Sequence, residues 1–251
     1  MTHFKHIPLI CLALALSVPG CIMVDSLNGI DTNGDQQAVV GSGRIVSVSF
    51  DFVRFRKISL NNAFKATINR SNSYSVTIDI DDNVKQYLNV YQYGDEIFIG
   101  LEDNTYRKTT MEVTIGMPDI ERIETSGAVS ARLDGFVLAH GMEFATSGAT
   151  TINGNLTADV ATFALSGSTT VELAGSANSL LVNGSGATVL HLFDFPVKDC
   201  RASLSGGSTS NVSVSDNLEV NLSGGSIFRY KGNPVVRVIS VSGGSIIQKV
   251  G

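Results

Sequence analysis

A Ser-Gly dipeptide followed by a small residue returns seven times in the second half of this chain, and its spacing constrains the fold more than any other feature. The copies begin at Ser126, Ser147, Ser166, Ser185, Ser205, Ser223 and Ser242, so successive steps are 21, 19, 19, 20, 18 and 19 residues. About twenty residues leave no room for a helix in each unit, but they suit one coil of a β-solenoid, in which each turn lies on the last at about 4.8 Å. In such a stack every coil must bend at the same place with side chains that fit beneath their own copies. Gly127, Gly148, Gly167, Gly186, Gly206, Gly224 and Gly243 supply the backbone freedom for a sharp corner. The serines can satisfy corner backbone groups through their hydroxyls. The expected fold is therefore all-β: a right-handed β-helix or solenoid-like stack of seven repeats over residues 125–251, behind a β-rich region over 43–124. Strand spacing alone would also allow a β-sandwich or propeller, but neither needs an unvarying corner.

The flanking runs agree with this reading. In "NLEVNL", Leu218, Val220 and Leu222 alternate with Glu219 and Asn221, filling a narrow core on one side and wetting the other. Ahead of the repeats, "GRIVSVSFDF", "YSVTIDI" and "EIFIGL" alternate as strands, with a hairpin signal at Gly94-Asp95. Trp is absent and the 25 glycines accompany many Ser, Thr and Val residues, a composition of short strands and tight turns.

The first twenty residues read as an export signal. "PLICLALALSVPG" is apolar but too short to span a bilayer as a helix. It ends in "SVPGC", which resembles a bacterial lipobox and makes Cys21 the expected lipid-attachment residue, although Pro19 is atypical there. An ordinary cleaved signal with the same cut is the alternative. Ile22 follows Cys21 at the position where an aspartate would resemble the inner-membrane retention signal of enteric bacteria, which favours an outer-membrane lipoprotein facing the periplasm or the cell surface. Residues 21–42 lack periodicity and read as a lipidated terminus with a flexible tether. Of the three cysteines, Cys11 lies in the signal and Cys21 is consumed by acylation, which leaves Cys200 unpaired and excludes a disulfide framework.

The repeats, together with "YSVTIDIDDNVKQYLNVYQYGDEIFIGL" and "IFRYKGNP", closely resemble the bacterial family described as auto-transporter adhesin, head GIN domain, over roughly residues 45–248. That resemblance implies an exported all-β solenoid, often a lipoprotein, and carries over no catalytic or ligand residue. Gly251 follows the seventh corner closely, so no C-terminal membrane barrel is expected.

The chemistry on offer is sparse. A net charge of -5 and the absence of a long basic cluster disfavour nucleic acid as a partner. Residues 125–251 hold eight acidic and seven basic side chains and only two histidines, His140 and His191, poor material for catalysis. No catalytic residue, cofactor or metal is expected. Asp79, Asp81 and Asp82 could gather a calcium ion, but such a cluster is more often a solvated strand end. The best recognition surface is Tyr87, Tyr91 and Tyr93, which share one face if "YLNVYQY" is extended and would meet a glycan or an envelope protein; the competing reading buries them as core. The expected role is membrane-tethered binding or display without catalysis. A carbohydrate-active enzyme and a ligand-free structural spacer are the alternatives, and oligomeric state is open.

Overall fold

The computed structural model describes residues 38–251, and among these there is one 3-10 turn, Lys85–Tyr87, and no α-helix. The strands ahead of the repeats are β1 (Val39–Val40), β2 (Ile45–Phe50), β3 (Lys57–Leu60), β4 (Lys65–Arg70), β5 (Ser75–Asp81), β6 (Leu88–Tyr93), β7 (Glu96–Leu101), β8 (Tyr106–Arg107) and β9 (Met111–Met117). The repeats supply β10 (Arg122–Gly127), β11 (Ser130–Val137), β12 (Met142–Gly148), β13 (Thr151–Leu165) and β14 (Thr170–Gly184). They continue with β15 (Val189–Leu204), β16 (Thr209–Leu222), β17 (Ile227–Lys231), β18 (Val235–Val241) and β19 (Ile246–Lys249). Apart from the short β1–β8 pair, all seventeen strands belong to one hydrogen-bonded sheet.

The sheet is a stack of coils. In each repeat one segment enters the Ser-Gly corner and one leaves it, and equivalent segments pair in parallel. Ladder A, of entering segments, runs β7, β3, β10, β12, then the C-terminal portions of β13 to β16, then β18. Ladder B, of leaving segments, runs β9, β4, β11, then the N-terminal portions of β13 to β16, then β17 and β19. The seven corners thus bound six full turns, as the repeat spacing requires.

The core runs up the inside of these ladders. Register places Ile58, Ile123, Phe144, Phe163, Val182, Ala202 and Val220 in one column, every member at most 2% exposed. Phe144 and Phe163 stack at 4.7 Å with their planes 4° apart. Each such aromatic contributes roughly 1.5–3 kcal/mol of burial, and among the described residues it is apolar stacking, not a disulfide, that ties one coil to the next. Ser210 interrupts a neighbouring column with its hydroxyl buried and unpartnered.

The stack does not begin with the first Ser-Gly. The β3–β4 coil, from residues well ahead of the repeats, lies between β7/β9 and β10/β11 in both ladders. Its corner is Asn61-Asn62, and Asn62 adopts φ 63°, the conformation that glycine supplies elsewhere. The Asn62 carbonyl accepts from Ala128 N at 2.6 Å, and its side-chain oxygen accepts from Leu101 N at 2.8 Å. Beyond this coil the pairing turns antiparallel, β6 on β7, β5 on β9 and β2 on β5, so one end of the core is roofed by strands running against the stack. Val46, Val48, Phe50, Leu88 and Val90 of this roof pack on the core.

Candidate binding surface

All seven predicted corners stand in a single column. Ser126 registers with Ser147 and Gly127 with Gly148, and every corner glycine has positive φ, from 66° at Gly243 to 97° at Gly127. The residue after each of the six later corner glycines donates to the glycine carbonyl one coil below: Ala149 to Gly127, Ser168 to Gly148, Ala187 to Gly167, Gly207 to Gly186, Gly225 to Gly206 and Gly244 to Gly224, at 2.7–2.9 Å. The corner serines lie at the surface. Ser147, Ser166, Ser185 and Ser242 bond a carbonyl of the preceding coil through Oγ.

The buried hydroxyls are a different set, two positions after five of the corner glycines. Thr150, Thr169, Thr188, Ser208 and Ser226 are at most 1% exposed, and they bond within the corner: Thr150 to Thr125 at 3.0 Å, Thr169 to Thr146 at 2.8 Å, Thr188 to Ser208 at 2.9 Å. Their signal was present in the sequence as the fourth letter of "SGAT", "SGST" and "SGGS".

The tyrosine trio divides. Tyr87 ends the 3-10 turn, half-buried against Tyr106 with ring centroids 6.0 Å apart, and leaves the expected face. Tyr91 and Tyr93 remain together on the outward side of β6, 47% and 80% exposed. Tyr91 stacks on Phe98 of the neighbouring β7 at 4.7 Å, nearly parallel, which fixes the ring without burying it.

From this aromatic platform the outward face of ladder A continues through a band of paired charges. Lys57 meets Asp95 at 3.1 Å, and Arg122 meets both Glu124 at 2.7 Å and Glu143 at 3.1 Å. The Lys57 side chain donates to Asp95 and holds its carboxyl below the usual range. Past Ala145 and Ala164 the face becomes a polar groove of about 610 Å³, with Asn183, Ser203, Asn221 and Ser240 as rungs beside the corner serines. One sheet face thus carries flat aromatic rings, neutralised charges and a ladder of amides and hydroxyls.

A second groove, about 960 Å³, crosses the coils where ladder B passes into ladder A. Its floor is small, with Ala139, Ala158 and Ala177, and Lys198 and Lys231 line it. A column of polar side chains follows the same bend at near-twenty-residue steps: His140 bonds Asp119 at 2.9 Å, Asn178 bonds Asp159 at 2.8 Å, and Arg237 bonds Asn217 at 2.8 Å. Sequence reading missed this second column because its identity alternates among Asp, Asn, His and Arg.

The candidate calcium cluster disperses. Asp79 accepts from Ser47, Asp81 is buried and accepts from the amides of Gly43 and Thr110, and Asp82 takes Ser42 and Arg44. Hydrogen bonding from Ser42 and then Arg44 holds the Asp82 carboxyl low. Cys200 is fully buried among apolar side chains, and that burial pushes its thiol up to about 12, far from a nucleophile's range. Cys21, the signal and most of the tether lie outside the described residues.

The fold is a parallel β-solenoid with broad, polar outward faces and seven corners in one column. Residues 54–234 match the family model described as "Putative auto-transporter adhesin, head GIN domain", and the chain belongs to that family. Three solved structures share the fold. A putative adhesin from Bacteroides fragilis NCTC 9343 superposes with TM-score 0.79 at 18% identity, covering 85% of this chain and 100% of that one. A putative adhesin from Parabacteroides merdae ATCC 43184 gives 0.63 at 17% identity, with 85% and 99% coverage. A putative lipid binding protein from Parabacteroides distasonis ATCC 8503 gives 0.67 at 18% identity, with 86% and 100% coverage. A search of curated proteins finds no significant match.

Proposed function

We propose that this protein is a membrane-tethered display protein of the bacterial envelope that binds glycan through the outward face of ladder A and performs no catalysis. The carrying observation is the Tyr91–Phe98 stack beside the exposed Tyr93, at one end of a face whose far end offers Asn and Ser rungs. Aromatic planes take up the C–H faces of sugar rings, and amides and hydroxyls exchange hydrogen bonds with sugar hydroxyls. The charged band between them favours binding over acid-base chemistry, because its carboxylates are already held by Lys57 and Arg122. Lipid on Cys21 is the proposed anchor, since acyl chains contribute about 0.8 kcal/mol per buried methylene.

The purified protein on an array of envelope and mucosal glycans should bind a subset, and Tyr91→Ala with Tyr93→Ala should weaken that binding at least ~10-fold without changing the far-UV spectrum. Binding that survives the double substitution, or release of cleaved product from a bound glycan, would overturn the reading. Cys21→Ala should move the protein from the membrane to the soluble fraction.

A further inference from the structure

Register carries one line of outward side chains along ladder A from Phe98, the stacking partner of Tyr91, through Ala145 and Ala164 to Asn183, Ser203, Asn221 and Ser240. Two residues further along each strand the corner serines form a second line, about 7 Å from the first. Between the two lines Leu165, Leu204 and Leu222 turn inward and are only 2–3% exposed, so the floor of the groove of about 610 Å³ is backbone. The groove is one narrow channel, and it runs parallel to the axis of the stack.

Amides elsewhere on the stack are engaged within the protein: Asn155 accepts from Gly135 N at 2.9 Å, Asn178 donates to Asp159 at 2.8 Å and Asn211 bonds His191 at 3.3 Å. The four rungs of the groove, Asn183, Ser203, Asn221 and Ser240, make no such side-chain bond among the described residues and keep their donors and acceptors for what lies outside. Opposite them, Ser166, Ser185 and Ser242 donate to the preceding coil and keep their oxygens as acceptors. None of the described residues that line the groove is charged. On its flank Arg201 and Glu219 neutralise each other at 2.7 Å, and Leu181, 38% exposed, offers an apolar contact beside the rungs.

We infer that this groove takes an uncharged, linear, extended glycan lying parallel to the axis of the stack, with one sugar to each coil. The inference rests on the glycan reading above and adds the charge, shape and direction of the ligand. From Ala164 to Ser240 there are four steps of about 4.8 Å, about 19 Å in all. An equatorially linked pyranose chain advances by nearly the same step per sugar, so successive rings meet successive rungs. Sugar hydroxyls both give and accept hydrogen bonds, as the amide and hydroxyl rungs do. A carboxylated or sulfated chain meets no free cation here and has to shed water from its charge without a partner. An extended peptide, at about 3.3 Å per residue, falls out of step with the rungs at once.

Calorimetric titration of the purified protein with β-1,4-linked glucose chains of two and five residues, and with a five-residue chain of β-1,4-linked glucuronic acid, tests this. The longer neutral chain should bind at least ~10-fold tighter than the shorter one, and the acidic chain at least ~10-fold weaker than its neutral counterpart. Asn183→Ala with Asn221→Ala should bring the long chain down to the affinity of the short one, and Ser203→Arg, which fills the groove, should do the same. All three side chains point outward, so both variants should keep the wild-type melting temperature. A five-residue neutral chain that does not bind, affinity independent of chain length, an acidic chain that binds as tightly as the neutral one, or binding untouched by both variants would each overturn this inference while glycan binding on the array leaves the broader reading standing. An array on which no glycan binds overturns both.

Discussion

Gly148 sits directly on Gly127, so close that a β-carbon added to Gly148 would lie 2.5 Å from the Gly127 carbonyl oxygen, the oxygen that accepts from Ala149 N at 2.8 Å. The glycine is required for two reasons. Positive φ excludes most side chains, and the coil beneath leaves no volume for one.

The two reasons separate by mutation. Gly167 has φ 76° and would meet Gly148 O at 2.5 Å, whereas Gly94 has φ 62° with nothing within 4 Å. Gly94→Ala should therefore cost about 1 kcal/mol, the left-handed penalty alone, and Gly167→Ala roughly 2–4 kcal/mol, because the corner hydrogen bonds must also shift. Urea unfolding of both variants measures the difference, and equal losses would contradict stacking as the cause.

The Thr146–Thr169 bond at 2.8 Å is fully within the corner, with Thr169 at 0% exposure. Thr169→Val keeps the shape and deletes the hydroxyl, stranding Thr146 Oγ1, and should destabilise by about 1–3 kcal/mol. The exposed Ser168→Ala beside it should change unfolding by less than about 0.5 kcal/mol. The same urea series separates them.

His140 places Nδ1 2.8 Å from the Gly141 carbonyl and Nε2 2.9 Å from Asp119, so both nitrogens can donate only when the ring is protonated. The Gly141 carbonyl and Asp119 accordingly raise its pKa above 6.5. The raised folded value means that its stabilisation is complete below about pH 6.5 and fades as pH climbs through the folded value. The stability gap between the native protein and His140→Gln should therefore be larger at pH 5.5 than at pH 8.5, read from melting temperatures; a gap that is flat or reversed would refute the assignment.

The corners were legible because a stacked bend repeats its demand at every coil, so seven glycines carry one constraint. The Asn61-Asn62 corner was not, since asparagine tolerates the same left-handed backbone and one substitution hides a coil from a search for Ser-Gly. Pairing order was hidden for a related reason: the ladders record which edges were free, and nothing local in residues 57–70 or 96–117 states that the later segment lies beneath the earlier one. Tyr87 misled because alternation was extended one residue too far, into a 3-10 turn that rotates its ring towards Tyr106. The buried Thr and Ser column was readable but was overshadowed by the more regular serine ahead of it.

The position of the β3–β4 coil, clasped between β7/β9 below and β10/β11 above, bears on how the molecule is made. A chain delivered N-terminus first presents residues 57–70 before either neighbour, so that segment must wait with both edges open until residues 96–117 double back under it. From residue 122 onward each new layer finds a finished template and zips on in order. Assembly is therefore slow at its foundation and quick thereafter, and a lesion in the foundation should leave the whole pile without a seed while one in the last layers merely shortens it.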